Sequence, residues 1–148
     1  NAQLAALLSE ESDGLANAAT LTALFFSALP DINWLGFYLL RGFELVLGPF
    51  QGNVACMRIA VGRGVCGAAA RERKTIVVPD VHAFPDHIAC DAASRSELVV
   101  PLLRGERLLG VLDVDSPRRD RFDADDAEGL EAAVKILLAH SDFSRLAD

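Results

Sequence analysis

The sequence predicts an α/β (α+β) sandwich: one central antiparallel sheet of about six strands with helices on both faces. Two pairs of apolar runs are each joined by a short turn, at Arg41-Gly42 and at Arg104-Gly105-Glu106, so each pair reads as a hairpin. The runs carry apolar residues at odd and even positions alike, which is the pattern of strands covered on both sides. Segments with helical spacing flank the strands and interrupt them once.

Residues 2–12 and 14–28 read as helices, the second stopping before Pro30; Leu15, Ala18, Ala19, Leu21, Leu24, Phe25 and Leu29 mostly keep helical spacing. The run Trp34-Leu35-Gly36-Phe37-Tyr38-Leu39-Leu40 is a doubly covered strand, returned by Arg41-Gly42 into residues 43–47, with Gly48-Pro49 expected to break it. Residues 54–60 read as a third strand. After the turn Gly62-Arg63-Gly64, the alanine-rich residues 65–73 read as a helix and 75–78 as a strand stopped by Pro79. A loop over residues 80–95 holds Pro85, His87 and Cys90, and connections this long tend to carry function. The second hairpin spans residues 97–103 and 108–115. After a polar loop, Asp123 caps a last helix whose apolar stripe is Leu130, Val134, Leu137 and Leu138. The expected organisation is one domain over residues 1–148: N-terminal helices in 1–29, sheet and loop in 30–121, and a C-terminal helix in 122–145.

Bulk properties narrow the function. The chain has 148 residues, 51% of them hydrophobic, and a formal charge of −7. That charge disfavours nucleic-acid binding, which needs clustered cations; Arg71, Arg73 and Lys74 are the densest basic run. No run reaches the ~18 apolar residues of a membrane span. The first residues carry Glu10, Glu11 and Asp13 in place of a basic leader, so a secretory signal is not expected. Three cysteines, an odd number, suit a reducing compartment, and a cytoplasmic location is expected.

The chemistry-bearing residues lie between Trp34 and Asp115. Cys56, Cys66 and Cys90 are spaced by ten and twenty-four, and Cys90 sits in His87-Ile88-Ala89-Cys90-Asp91-Ala92-Ala93-Ser94, too polar and small for a strand. A thiol there is open to solvent and substrate, which points to redox chemistry. Asp113 and Asp115 share a face of their strand. Glu97 joins them if the hairpin turn holds three residues, opposite Asp113, and faces away if the turn is one residue shorter. Converging carboxylates would raise one another's pKa and keep a proton near neutrality; the alternative is that all three mark solvated strand ends. His87 is either a cation that lowers the Cys90 pKa or a solvated loop residue. Trp34 and Tyr38, four apart in one strand, face the same side, as an aromatic wall for a methyl-sulfur group or as a core pair. An open thiol, a second thiol and a proton donor together suit thiolate attack on a sulfoxide, whose oxygen must be protonated as the sulfur is attacked. The resulting sulfenic acid condenses with a neighbouring thiol, and an external dithiol resets the pair.

These residues resemble the free methionine-(R)-sulfoxide reductases, which are single GAF-type domains. The likeness covers residues 33–115 and rests on Asn33-Trp34-Leu35-Gly36-Phe37-Tyr38, Leu47-Gly48-Pro49-Phe50-Gln51-Gly52, Ala55-Cys56, Arg58-Ile59, Gly64-Val65-Cys66-Gly67, the Cys90 loop, Ser96-Glu97 and Leu112-Asp113-Val114-Asp115-Ser116. The resemblance implies that Cys90 is the nucleophile, that Cys56 resolves it as a disulfide, and that Cys66 is accessory. It implies that Glu97, Asp113 and Asp115 bind and polarise the sulfoxide, while Trp34 and Tyr38 surround its methyl group. It also implies free L-methionine (R)-S-oxide as substrate, thioredoxin as external reductant with no bound cofactor, and a homodimer joined through the N-terminal helices. One departure stands in the loop, where Asp86 replaces an expected glycine.

Three rival readings compete with this one. A non-catalytic GAF-like sensor of small molecules would normally adjoin an effector domain. Zinc held by Cys56, Cys66, His87 and Cys90 is disfavoured because no tight Cys-x-x-Cys spacing is present, so no metal is expected. A bilin-type chromophore on a cysteine is the weakest.

Overall fold

The computed structural model describes residues 1–144. Its elements run α1 (Ala2–Leu8), α2 (Gly14–Ala28), β1 (Trp34–Arg41), β2 (Glu44–Gly52), β3 (Arg58–Ala60), α3 (Gly64–Glu72), β4 (Ile76–Val78), β5 (Ser96–Arg104), β6 (Arg107–Ser116) and α4 (Ala124–His140). One six-stranded sheet has the order β3-β2-β1-β6-β5-β4, and every neighbouring pair is antiparallel. The predicted class, strand number and two-sided helical cover are all present.

Several boundaries differ from the sequence expectation, each for a local reason. The first helix ends at Leu8, four residues early, because Asp13 must leave helical geometry to cap α2; its carboxylate accepts from the Leu15 and Ala16 amides at 2.9 and 3.1 Å. Gly48-Pro49 does not break the second strand. Strand β2 continues to Gly52, and its register slips by one residue between the pairs Gly36↔Phe50 and Tyr38↔Leu47. Pro49 sits in that bulge, where a missing N–H is tolerated. The third strand covers only Arg58–Ala60. In the segment before it, side chains take up main-chain carbonyls: Trp34 Nε1 donates to Asn53 O at 3.1 Å, and the Tyr38 hydroxyl to Cys56 O at 2.8 Å. A single 3₁₀ turn, Val81–Ala83, opens the long loop. The last helix starts as predicted, with a capping box formed by Asp123 and Asp126, and ends at His140; position 145 of the expected range lies outside the described residues.

The sheet separates two cores. On one face, α1, α2 and α4 bury Leu4, Leu8, Leu21, Leu130, Val134 and Leu137 against Leu35, Phe37, Leu98, Leu112 and Val114. On the other, α3 and the loop after β4 cover Trp34, Tyr38, Val99 and Val111. Alternation sends the even-numbered residues Trp34 and Tyr38 of β1, with the odd-numbered Val99 of β5 and Val111 of β6, to the second core and their neighbours to the first. Among the described residues, no helix is long and apolar enough to cross a membrane.

Candidate active site

The register of the sheet assembles the site. Glu97 of β5 pairs with Asp115 of β6, which pairs with Trp34 of β1, so these three side chains form a row on one face. The next row pairs Val99 with Asp113 and Asp113 with Gly36. The expected partner of Glu97 was Asp113, reached through a three-residue turn. The turn instead holds two residues, Gly105 and Glu106, since Arg104 pairs with Arg107. By itself that would turn Glu97 away. A bulge at Leu109, between the pairs Leu103↔Leu108 and Leu102↔Gly110, adds one residue and restores the parity, bringing Glu97 back to the acids' face, opposite Asp115. Gly110 is required there: its φ is 157°, and a Cβ would lie 2.2 Å from the Tyr38 carbonyl oxygen.

All three carboxylates are buried, and Asp113 Oδ1 has no hydrogen-bond partner. Burial pushes each carboxyl well above the ordinary range, and each is raised further by a neighbouring carboxylate: Glu97 by Asp113, Asp113 by Asp115, and Asp115 by Glu97. The alternative of solvated strand ends is therefore wrong. A group of this kind keeps a proton at neutral pH and can pass it to a developing oxyanion.

The aromatic side chains stand beside the acids. Trp34 stacks on Tyr38 with ring centroids 5.9 Å apart and on Phe50 at 5.4 Å. Both Trp34 and Tyr38 line a cavity of about 40 Å³ together with Cys66, Cys90, Glu97, Asp113 and Asp115. Gly36 leaves room for this stack, since a Cβ there would lie 2.3 Å from Phe50 Cβ and 2.7 Å from the Trp34 ring.

Cys56 and Cys90 are joined by a disulfide, with Cα atoms 5.3 Å apart. Cys90 is half-buried on the loop and lines the cavity. Cys66, in the first turn of α3, is the free thiol and is buried. Its Sγ lies 3.9 Å from Glu97 Oε2, and burial, followed by the charge of Asp113, pushes its pKa well up. Cys66 therefore belongs to the acid cluster and holds its proton.

His87 stands in surroundings that disfavour its charged form. Its Nε2 lies 4.0 Å from Glu97 Oε1, and burial, followed by His82, lowers its pKa, so the neutral ring prevails at neutral pH. Two sets of contacts went unassigned in the sequence. Asn33 Nδ2 donates to Asp91 Oδ2 and Ser94 Oγ, both at 3.2 Å, tying the Cys90 loop to the start of β1. Asp86 adopts a left-handed φ of 62°, the conformation a glycine would supply. Its carboxylate accepts from Arg63 Nε at 2.6 Å and Nη2 at 3.0 Å, fastening the loop to the entry of α3. The signal for both was present in the residues quoted above: a polar side chain at the edge of an apolar strand, and an aspartate in a glycine's place.

Comparison with known proteins agrees with this geometry. Residues 3–137 match the GAF domain family. The free methionine-R-sulfoxide reductase of Escherichia coli is 48% identical over 148 residues, covering 98% of this chain and 90% of that protein. The structure of the Neisseria meningitidis free methionine-R-sulfoxide reductase in complex with its substrate superposes with a TM-score of 0.92 at 47% identity, covering 97% of this chain and 87% of the other. A putative GAF sensor protein from Burkholderia vietnamiensis superposes with a TM-score of 0.91 at 55% identity, over 94% and 89% of the two chains. The chain thus belongs to the GAF-domain family and, within it, to the free methionine-R-sulfoxide reductases.

Proposed function

We propose that this protein reduces free L-methionine (R)-S-oxide to L-methionine. The observation that carries the reading is that Cys90, joined to Cys56 by a disulfide, lines a cavity walled by three buried carboxyl groups. The Cys90 thiolate attacks the sulfoxide sulfur while a carboxyl of the Glu97, Asp113 and Asp115 cluster protonates the oxygen. The substrate sulfur gains two electrons and leaves as the thioether; Cys90 loses two and keeps the oxygen as a sulfenic acid. The Cys56 thiol then displaces that oxygen as water, forming the disulfide. Cys66, hydrogen-bonded to Glu97, takes an accessory part by holding the acid in place. Trp34 and Tyr38 receive the methyl group, for which an aromatic wall is well suited.

Reduction of the disulfide needs an external dithiol, and thioredoxin is the proposed donor, with no bound cofactor. Val54 and Met57, on either side of Cys56, are 88% and 74% exposed. An apolar collar around a redox disulfide supports docking of a protein reductant. A cytoplasmic setting and a homodimer through the N-terminal helices complete the proposal. The test is incubation of the pure protein with free methionine sulfoxide and dithiothreitol. Stoichiometric methionine is expected; intact sulfoxide would refute the assignment and favour a sensor.

A further inference from the structure

We propose that Cys66, Glu97 and Asp113 form a binding site for a soft divalent cation of the zinc and cadmium class, and that its occupancy blocks sulfoxide reduction. The blocking half rests on the function proposed above; the binding half does not. Three elements deliver the donors: the first turn of α3, the start of β5 and the end of β6. One ligand atom from each lies within 4.8 Å of the other two, and the Cys66 Sγ to Glu97 Oε2 distance is 3.9 Å. A tetrahedral ion with bonds of about 2.0–2.3 Å holds its ligands roughly 3.3–3.8 Å apart, so a contraction of up to about 1.5 Å closes the set.

A second observation points to a ligand. Asp113 lines the cavity and is only 6% exposed, and its Oδ1 has no hydrogen-bond partner, which is costly for a buried acceptor. One sulfur and two carboxylates are a softer set than magnesium or calcium sites use, and three protein ligands leave a fourth position open. Binding replaces the protons of the thiol and of whichever carboxyls carry them, so protons are released to solvent. The donor set is not Cys56, Cys66, His87 and Cys90, because in the oxidised protein the disulfide withdraws Cys56 and Cys90. It also uses two of the acids assigned to the sulfoxide, so cation and substrate exclude one another.

The disulfide form gives a clean test, since Cys66 is then the free thiol. Titration of the oxidised protein with Cd²⁺ is expected to produce the ultraviolet thiolate-to-cadmium charge-transfer band, saturating at one equivalent. Cys66→Ser should abolish the band, and Cys66→Ala serves if the serine variant does not fold. Glu97→Gln and Asp113→Asn should each weaken binding at least about tenfold, since loss of outer-shell partners alone costs about that much and these are direct ligands. A silent titration of the wild type, or affinities unchanged in both acid variants, overturns the site. In a single turnover of pre-reduced, desalted protein, Zn²⁺ should suppress methionine formation in the wild type, half-maximally at the Zn²⁺ concentration that half-displaces Cd²⁺ from the disulfide form. Cadmium binding with undiminished turnover overturns the block alone. Cadmium binding by a protein that reduces no methionine sulfoxide supports the site and refutes the proposed function.

Discussion

The two faces of the sheet are built from the same strands and differ by one step of alternation. On the α1, α2 and α4 side, β1, β5 and β6 present Leu35, Phe37, Leu98, Leu112 and Val114 to three helices, and the space is filled with aliphatic side chains. On the opposite side the same strands present Trp34, Asp113, Asp115 and Glu97, covered by α3 and the Cys90 loop, with a cavity among them. The first face needs volume and apolarity alone. The second holds three carboxyls and a thiol out of water, at a cost in stability that packing on the first face must offset. The difference teaches where substitutions should divide stability from chemistry.

The largest effect is expected at the thiols of the second face. Cys90→Ser should lower turnover by at least about 10⁴-fold, because no other thiol can take the oxygen, while the melting temperature of the reduced protein stays close to wild type. Cys56→Ser should complete one round and then stall in a thioredoxin-coupled assay. Equal steady-state rates for both variants and the wild type would break the division of roles. Next comes Glu97→Gln, expected to slow the chemical step about 10²–10⁴-fold while Cys90 alkylation by iodoacetamide keeps its rate. An unchanged rate would remove the proton donor.

The opposite face should answer in the other currency. Leu112→Ala is expected to destabilise the fold by about 2–5 kcal/mol, measured by urea unfolding, with the rate per folded molecule retained. A rate loss as large as that of Glu97→Gln would show that the two faces do not act separately.

The smallest effect concerns pH. The folded-state pKa values of Glu97, Asp113 and Asp115 are raised, so the native protein holds more protons than the unfolded chain above about pH 4, and stability falls as pH rises from there towards the folded pKa values. Asp113→Asn keeps the shape without the ionisation. It should flatten that decline and raise stability at pH 7, while reducing activity. A pH profile identical to wild type would place the charge burden elsewhere.

How far the sequence reveals this architecture depends on what each feature needs. Strands β1, β5 and β6 are legible because unbroken apolar runs bounded by turns have few other solutions. The side taken by Glu97 is not, because it depends on a two-residue turn and a one-residue bulge acting together; neither alters composition, and Gly110 is the single hint. Pro49 misleads for the same reason, as a bulge turns a strand breaker into a strand residue. The Cys56–Cys90 pairing came from family likeness, since three thiols permit three pairings and spacing does not choose among them. The ties that hold the Cys90 loop, Asn33 to Asp91 and Ser94 and Arg63 to Asp86, join residues far apart in the chain and are visible only once the sheet is assembled.

The central claim is that a single loop thiol, supplied with a proton by the buried acids, removes the oxygen of one sulfoxide epimer. Its most direct test is a single turnover of pre-reduced, desalted protein with each epimer of free methionine sulfoxide, followed by mass spectrometry of the cysteines. The account predicts one methionine per protein from the R epimer, one disulfide joining Cys56 and Cys90, and an unmodified Cys66, with the S epimer left intact. Equal conversion of both epimers, or methionine formed while Cys90 stays reduced, would contradict it.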